Sequence, residues 1–131
     1  MARAEDGESV ARFLPELTSP RQARHFVRRS CAGWGAPEVI DVAVLLTSEL
    51  VTNAVVHART AVTVAVTQSE GGLRVAVTDD GEAAPALTPG RGMDEAGRGL
   101  ALVDHLSAAW GVTSSAGGRV GKTVWFTLSA N

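Results

Sequence analysis

Tyrosine is absent from this chain, and aromatic residues fill only 5% of its 131 positions. Cys31 is the sole cysteine, which excludes an internal disulfide and a cysteine-based zinc site. The three histidines, His25, His57 and His105, stand far apart and lack the spacing of a metal-binding set. Lys122 is the only lysine; every other basic residue is arginine. The formal net charge is -2, so there is no cationic excess for capture by nucleic acid or an anionic membrane. Glu5, Asp6 and Glu8 stand where a signal peptide needs a positive start and an apolar run. The apolar runs fall short of the ~18–20 residues of a membrane helix. These absences predict a soluble, reduced, cytoplasmic protein with no direct nucleic-acid or membrane partner.

What the chain does have is a hydrophobic content of 45%, enough for a packed core, and 14 glycines, more than its turns require. Residues 1–8 read as a mobile acidic lead-in to a single domain over 9–131. Ser9 to Leu14 reads as a short strand. Ser19 as N-cap and Pro20 at the first helical position start a helix to about Cys31. A second helix, from about Glu38 to Ala58, is apolar nearly all round and is expected to be buried on most sides. Ala61 to Thr67 and Leu73 to Thr78 form a hairpin around Glu70-Gly71-Gly72. Asp79 to Arg98 is a long irregular segment of the kind that serves as a lid or binding loop. A short helix follows over Leu100 to Leu106. Ala109 to Ser114 and Thr123 to Leu128 close the chain as a hairpin joined by Gly117-Gly118. The order β-α-α-β-β-loop-α-β-β predicts an α/β two-layer sandwich, a mixed, largely antiparallel sheet with helices on one face.

Polar groups on the second helix stand out. Glu49, Asn53 and His57 recur at i, i+4 and i+8 and share a face. A carboxylate and a carboxamide on an apolar helix are costly unless they meet something polar. Asn53 offers a neutral oxygen suited to Mg²⁺, and Glu49 is placed to deprotonate a nearby hydroxyl. Taken alone, both residues read better as caps of, or bridges to, neighbouring backbone. Asp79-Asp80-Gly81 ends a strand, where Asp79 can accept from an exocyclic amine; a plain Asx turn is the alternative. Gly97-Arg98-Gly99 precedes a helix whose free N–H groups suit phosphate. Gly121-Lys122-Thr123 is not a P-loop: the first glycine is replaced by Ala116 and a strand follows. Asp104 and His105 are adjacent on a helix, point apart, and read as surface. The arginines of the first helix, Arg21, Arg24, Arg28 and Arg29, read as a solvated face or as a surface for an acidic protein.

The order of these signals carries more than any one of them. Ser48-Glu49-Leu50-Val51-Thr52-Asn53-Ala54-Val55-Val56-His57-Ala58 resembles the N box of the GHKL (Bergerat-fold) ATPases. Asp79-Asp80-Gly81 resembles their G1 box, Gly97 to Val103 their G2 box, and Gly121 to Phe126 their closing strand. The compact size is most similar to the stand-alone anti-sigma regulatory factors of the SpoIIAB and RsbW type. The resemblance implies a histidine-kinase-like ATPase domain that binds ATP with Mg²⁺. Asn53 would ligate the metal and Glu49 would be the general base. Asp79 would hold the adenine amine above Gly81. Gly97, Arg98, Gly99 and Leu100 would meet the phosphates, with His57 beside them. Thr123 would support Asp79, and residues 82–96 would form the lid. The sequence departs from the family at Ala83, where a second G1 glycine is common. The implied activity is a serine/threonine kinase acting on an anti-anti-sigma (STAS-type) protein, with a sigma factor as second partner and a homodimer as the assembly. An ATP-dependent binding module without phosphoryl transfer is the alternative. A detached histidine-kinase catalytic domain is disfavoured, because the chain has no helix pair bearing a phospho-accepting histidine.

Overall fold

Six residues of alternating exposure, Glu8–Phe13, form the first strand, β1, of a computed structural model that describes residues 7–34, 36–69, 71–80, 95–114 and 121–129. Two helices follow, α1 (Ser19–Ser30) and α2 (Pro37–Thr52), and α2 runs on into wider turns over Asn53–Ala58. Next come the strands β2 (Val62–Ser69) and β3 (Gly72–Asp79), the helix α3 (Glu95–Leu106), and the strands β4 (Ala109–Ser114) and β5 (Lys122–Ser129). The expected element order is therefore observed. The sheet order is β1-β2-β3-β5-β4, and its four pairings are all antiparallel. The fold is the expected α/β sandwich.

Period-two alternation sorts the strands into two faces. Val62, Val64 and Val66 of β2, Leu73, Val75 and Val77 of β3, and Val124, Phe126 and Leu128 of β5 are buried in one cluster with the helices. The opposite face carries small and polar groups such as Thr63, Ala65, Ala76, Thr78 and Thr123. There the Arg74 guanidinium lies 5.2 Å from the centre of the Trp125 ring, a cation–π contact. Gly111 lies against that ring: a Cβ there would come within 2.8 Å of Trp125 Nε1.

The first helix starts differently from the expectation. Ser19 lies inside it, Thr18 takes the cap position, and no side chain caps the helix; the Ser19 hydroxyl donates to Leu14 O at 2.6 Å. Ala23 and Val27 form the buried stripe, and Phe26 meets Phe13 of β1 edge-on, with ring centres 6.0 Å apart. Arg28 and Asp41 join α1 to α2 at 3.1 Å, but both are more than half exposed, so the pair adds little.

The reading of apolar runs needs correction. Pro37–Ala58 is 22 residues long with a mean hydropathy of 1.8, long and apolar enough to cross a membrane. Short polar stretches, Thr47-Ser48-Glu49 and Thr52-Asn53 among them, interrupt the runs in sequence, yet the helix as a whole remains apolar. Here it serves as the core helix: Ala43, Leu46, Leu50 and Val51 are buried in the same cluster as the sheet.

Cys31, just after α1, has no exposed surface, and burial pushes its thiol up to about 11. The reactive thiolate is therefore scarce at neutral pH. Native protein is expected to resist a thiol reagent at pH 8 and to react at once when unfolded in guanidinium. Fast labelling of folded protein would contradict this burial.

Candidate functional site

At Asn53 the helix changes pitch. The backbone N–H groups of Arg59 and Thr60 both reach back to Ala54 O, the latter at 3.2 Å, and Arg59 adopts a left-handed conformation (φ 57°, ψ 46°). Wide turns of this kind inside helices are frequent at functional positions. The chain then enters β2 through Thr60, which is buried. Its hydroxyl accepts from Asp80 N–H at 2.9 Å and donates to Ala61 O at 2.8 Å. The end of the helix is thereby fastened to the end of β3, where Asp79 sits. Thr60 was not singled out by sequence, and only its place between a helix end and a strand hinted at such a role.

Asp79 is buried and points to the helix side of the sheet, two residues beyond Val77. It lines a cavity of about 40 Å³ with Leu50, Asn53, Ala54, Val77, Leu100, Lys122 and Val124. Antiparallel register sets Asp79 opposite Lys122, and Lys122 Nζ lies 2.7 Å from Asp79 Oδ2. Apolar walls with a carboxylate and a carboxamide among them suit a flat heteroaromatic ring with an amine. The volume holds a few waters, well short of a purine, so a ring needs a wall to move.

Thr123 is placed elsewhere. In a strand, neighbouring side chains face opposite ways, so Thr123 lies on the other face from Asp79. Its hydroxyl is 2.7 Å from that of Thr78. The residue that meets Asp79 across the sheet is Lys122, one position earlier. His57 is exposed and is not among the cavity residues; it lies in the wide turns, where a face argument based on α-helical spacing does not hold.

The glycines of the second box also differ from expectation. α3 begins at Glu95, so Gly97 and Gly99 lie inside it instead of before it. A glycine weakens a helix by about 1 kcal/mol without ending it, and at position 99 the reason for it is steric. A Cβ there would stand 2.8 Å from Asn53 Nδ2 and 3.6 Å from Glu49 Cβ. Gly99 thus lets α3 lie directly over Asn53 and Glu49, and it brings Leu100 into the cavity. The side chain of Arg98, Gly81 and residues 82–94 of the lid expected over 82–96 are outside the described residues, as are the Gly117-Gly118 turn and residues 1–6; the last two lid positions, 95 and 96, instead open α3. Asp104, as expected, is a surface residue; it accepts from Trp110 Nε1 at 2.8 Å.

Among the described residues no group of three His, Cys, Asp or Glu side chains could cage a metal. Asn53, one of the cavity residues, offers a neutral side-chain oxygen of the kind a magnesium ion accepts beside water and phosphate oxygens.

The layers, the sheet order and the buried carboxylate at the end of β3 define a two-layer α/β class. A family model described as "histidine kinase-like ATPase domain" matches residues 13–128. The chain belongs to the histidine kinase-like ATPase domain family. No curated protein matches it. Among solved structures it is similar to the RsbU and RsbW domains of Rv1364c from Mycobacterium tuberculosis, with a TM-score of 0.69 and 22% identity over 93% of this chain. It spans about a third (32%) of that chain's length, so the likeness concerns the fold of the domain.

Proposed function

We propose that residues 9–131 form one ATP-binding regulatory domain, a cytoplasmic anti-sigma factor that phosphorylates a STAS-type anti-anti-sigma protein on serine or threonine. The observation that carries this reading is the convergence of three groups. Asp79 is a buried acceptor in a largely apolar cavity; Asn53 lines the same cavity; and Glu49 is one helical turn before Asn53, under Gly99. The family match supports ATP as ligand. The likeness to a chain with RsbU and RsbW domains supports the fold this reading needs; by this reading the role is partner switching, with a sigma factor as the second partner and a homodimer as the assembly.

Bound ATP with Mg²⁺ would supply the phosphoryl group and neutralise its charge. Asp79 would accept from the adenine amine, with Leu50, Val77, Leu100 and Val124 covering the ring. Asn53 would hold the metal through its side-chain oxygen. Glu49 would take the proton of the attacking hydroxyl, a task that needs a carboxylate within one water's reach of the substrate.

The test begins with binding. Wild-type protein is expected to bind ATP in the presence of Mg²⁺, and Asp79→Asn to weaken it at least tenfold, because the variant presents an N–H₂ where the amine needs an acceptor. Unchanged affinity would remove Asp79 from adenine recognition. Incubation with radiolabelled ATP and a STAS protein encoded nearby should then label that protein. Binding without label on any such candidate would make the chain an ATP-dependent binding module instead.

A further inference from the structure

The only lysine of the chain is at the one wall of the cavity that faces the carboxylate. Lys122 is the first residue of β5, and register sets it directly opposite Asp79 on the helix side of the sheet. Its side chain is 21% exposed and that of Asp79 is 8% exposed. An ion pair drawn this far from water is a poor device for stability alone, since desolvating both charges offsets their attraction. Gly121, at φ +109°, packs its backbone against the Asp79 carbonyl, so the start of β5 is fixed close to Asp79.

We propose that Lys122 is a specificity-determining residue that reads ring nitrogen N1 of the base whose amine Asp79 accepts. The proposal rests on the ATP-binding reading above. The ammonium has three N–H donors, of which one is directed to Asp79 Oδ2. A carboxylate has about four lone-pair sites and so can accept from more than one donor. An acceptor and a donor 2.7 Å apart therefore stand side by side at the cavity end. That pattern complements the edge of adenine, where the amine donates and the adjacent N1 accepts. Guanine and hypoxanthine carry an N–H at N1, which would meet the ammonium donor to donor. A site built around a hydrogen bond rejects an analogue that cannot make it far more strongly than an apolar pocket does.

The experiment compares the binding of ATP and 1-deaza-ATP, which lacks only the N1 lone pair, to wild type, Lys122→Met and Lys122→Arg. Thermal melting of each variant shows that it is folded. Wild type is expected to lose about ten- to a hundredfold in affinity for the deaza analogue, the usual span for a hydrogen bond to a charged group. Lys122→Met should bind ATP about as weakly as wild type binds the analogue, and should show no further loss with it. Lys122→Arg should keep part of the discrimination. Equal binding of both nucleotides by wild type, or an undiminished loss in Lys122→Met, overturns the proposal and leaves Lys122 as a neutraliser of Asp79. Failure of wild type to bind ATP at all defeats the functional reading itself, and this proposal with it.

Discussion

Gly121→Ala is expected to lower stability by about 3 kcal/mol, the upper end of the cost of holding a non-glycine residue in a sparsely populated backbone region. Two effects act together. The backbone at Gly121 has φ +109°, which side-chain-bearing residues rarely adopt, and an added Cβ would collide with the Asp79 carbonyl oxygen. That atom belongs to a strand hydrogen-bonded on both sides, so it has nowhere to go. For a domain of this size the melting temperature should fall by roughly 10 °C. ATP binding should weaken in the fraction that stays folded, because the collision pushes on the residue proposed to hold adenine. Gly71→Ala is the control: nothing lies within 4 Å of its added Cβ, and a shift beyond about 0.5 kcal/mol is not expected. Equal melting temperatures for Gly121→Ala and wild type would show that the β5 start relaxes, which the packing against Asp79 argues against.

The second large effect is on chemistry. Glu49→Gln is expected to slow phosphoryl transfer by about 10²- to 10⁴-fold, the range for removal of a general base. ATP affinity and melting temperature should stay close to those of wild type, since glutamine keeps the shape and the side chain does not line the base cavity. A rate close to wild type would remove Glu49 from the reaction. A loss of rate accompanied by an equal loss of ATP binding would assign it to nucleotide positioning instead.

Much of this was legible in the sequence because it follows from local rules. The alternation of valines in β2 and β3 announced their buried face, and the proline-led starts of α1 and α2 are where the helices begin. The i, i+4 spacing placed Glu49 and Asn53 together while the helix kept its pitch, and it failed at His57, where the pitch widens. Other features depended on pairing between distant segments, which no local pattern encodes. Whether Lys122 or Thr123 meets Asp79 depends on the register of β5 against β3, and a shift of one residue turns a strand over. The threonine of Gly121-Lys122-Thr123 was chosen by resemblance; the geometry chooses the lysine. In sequence Gly99 reads as part of a phosphate-suited segment before a helix. Its purpose is visible only once α3 lies over Asn53, because the absence of a side chain matters in relation to a neighbour about fifty residues away in sequence.

The position of β5 between β3 and β4 has a consequence for how the chain is made. During synthesis β3 and β4 emerge first, and neither touches the other; each waits with a bare edge until residues 122–129 leave the ribosome. The last strand to appear is thus interior in the sheet, and it brings Val124, Phe126 and the partner of Asp79 with it. Such long-range pairing is slow and leaves edges open to aggregation meanwhile. Nascent or clipped copies lacking β5 lose core, sheet continuity and the Lys122 ammonium in one stroke.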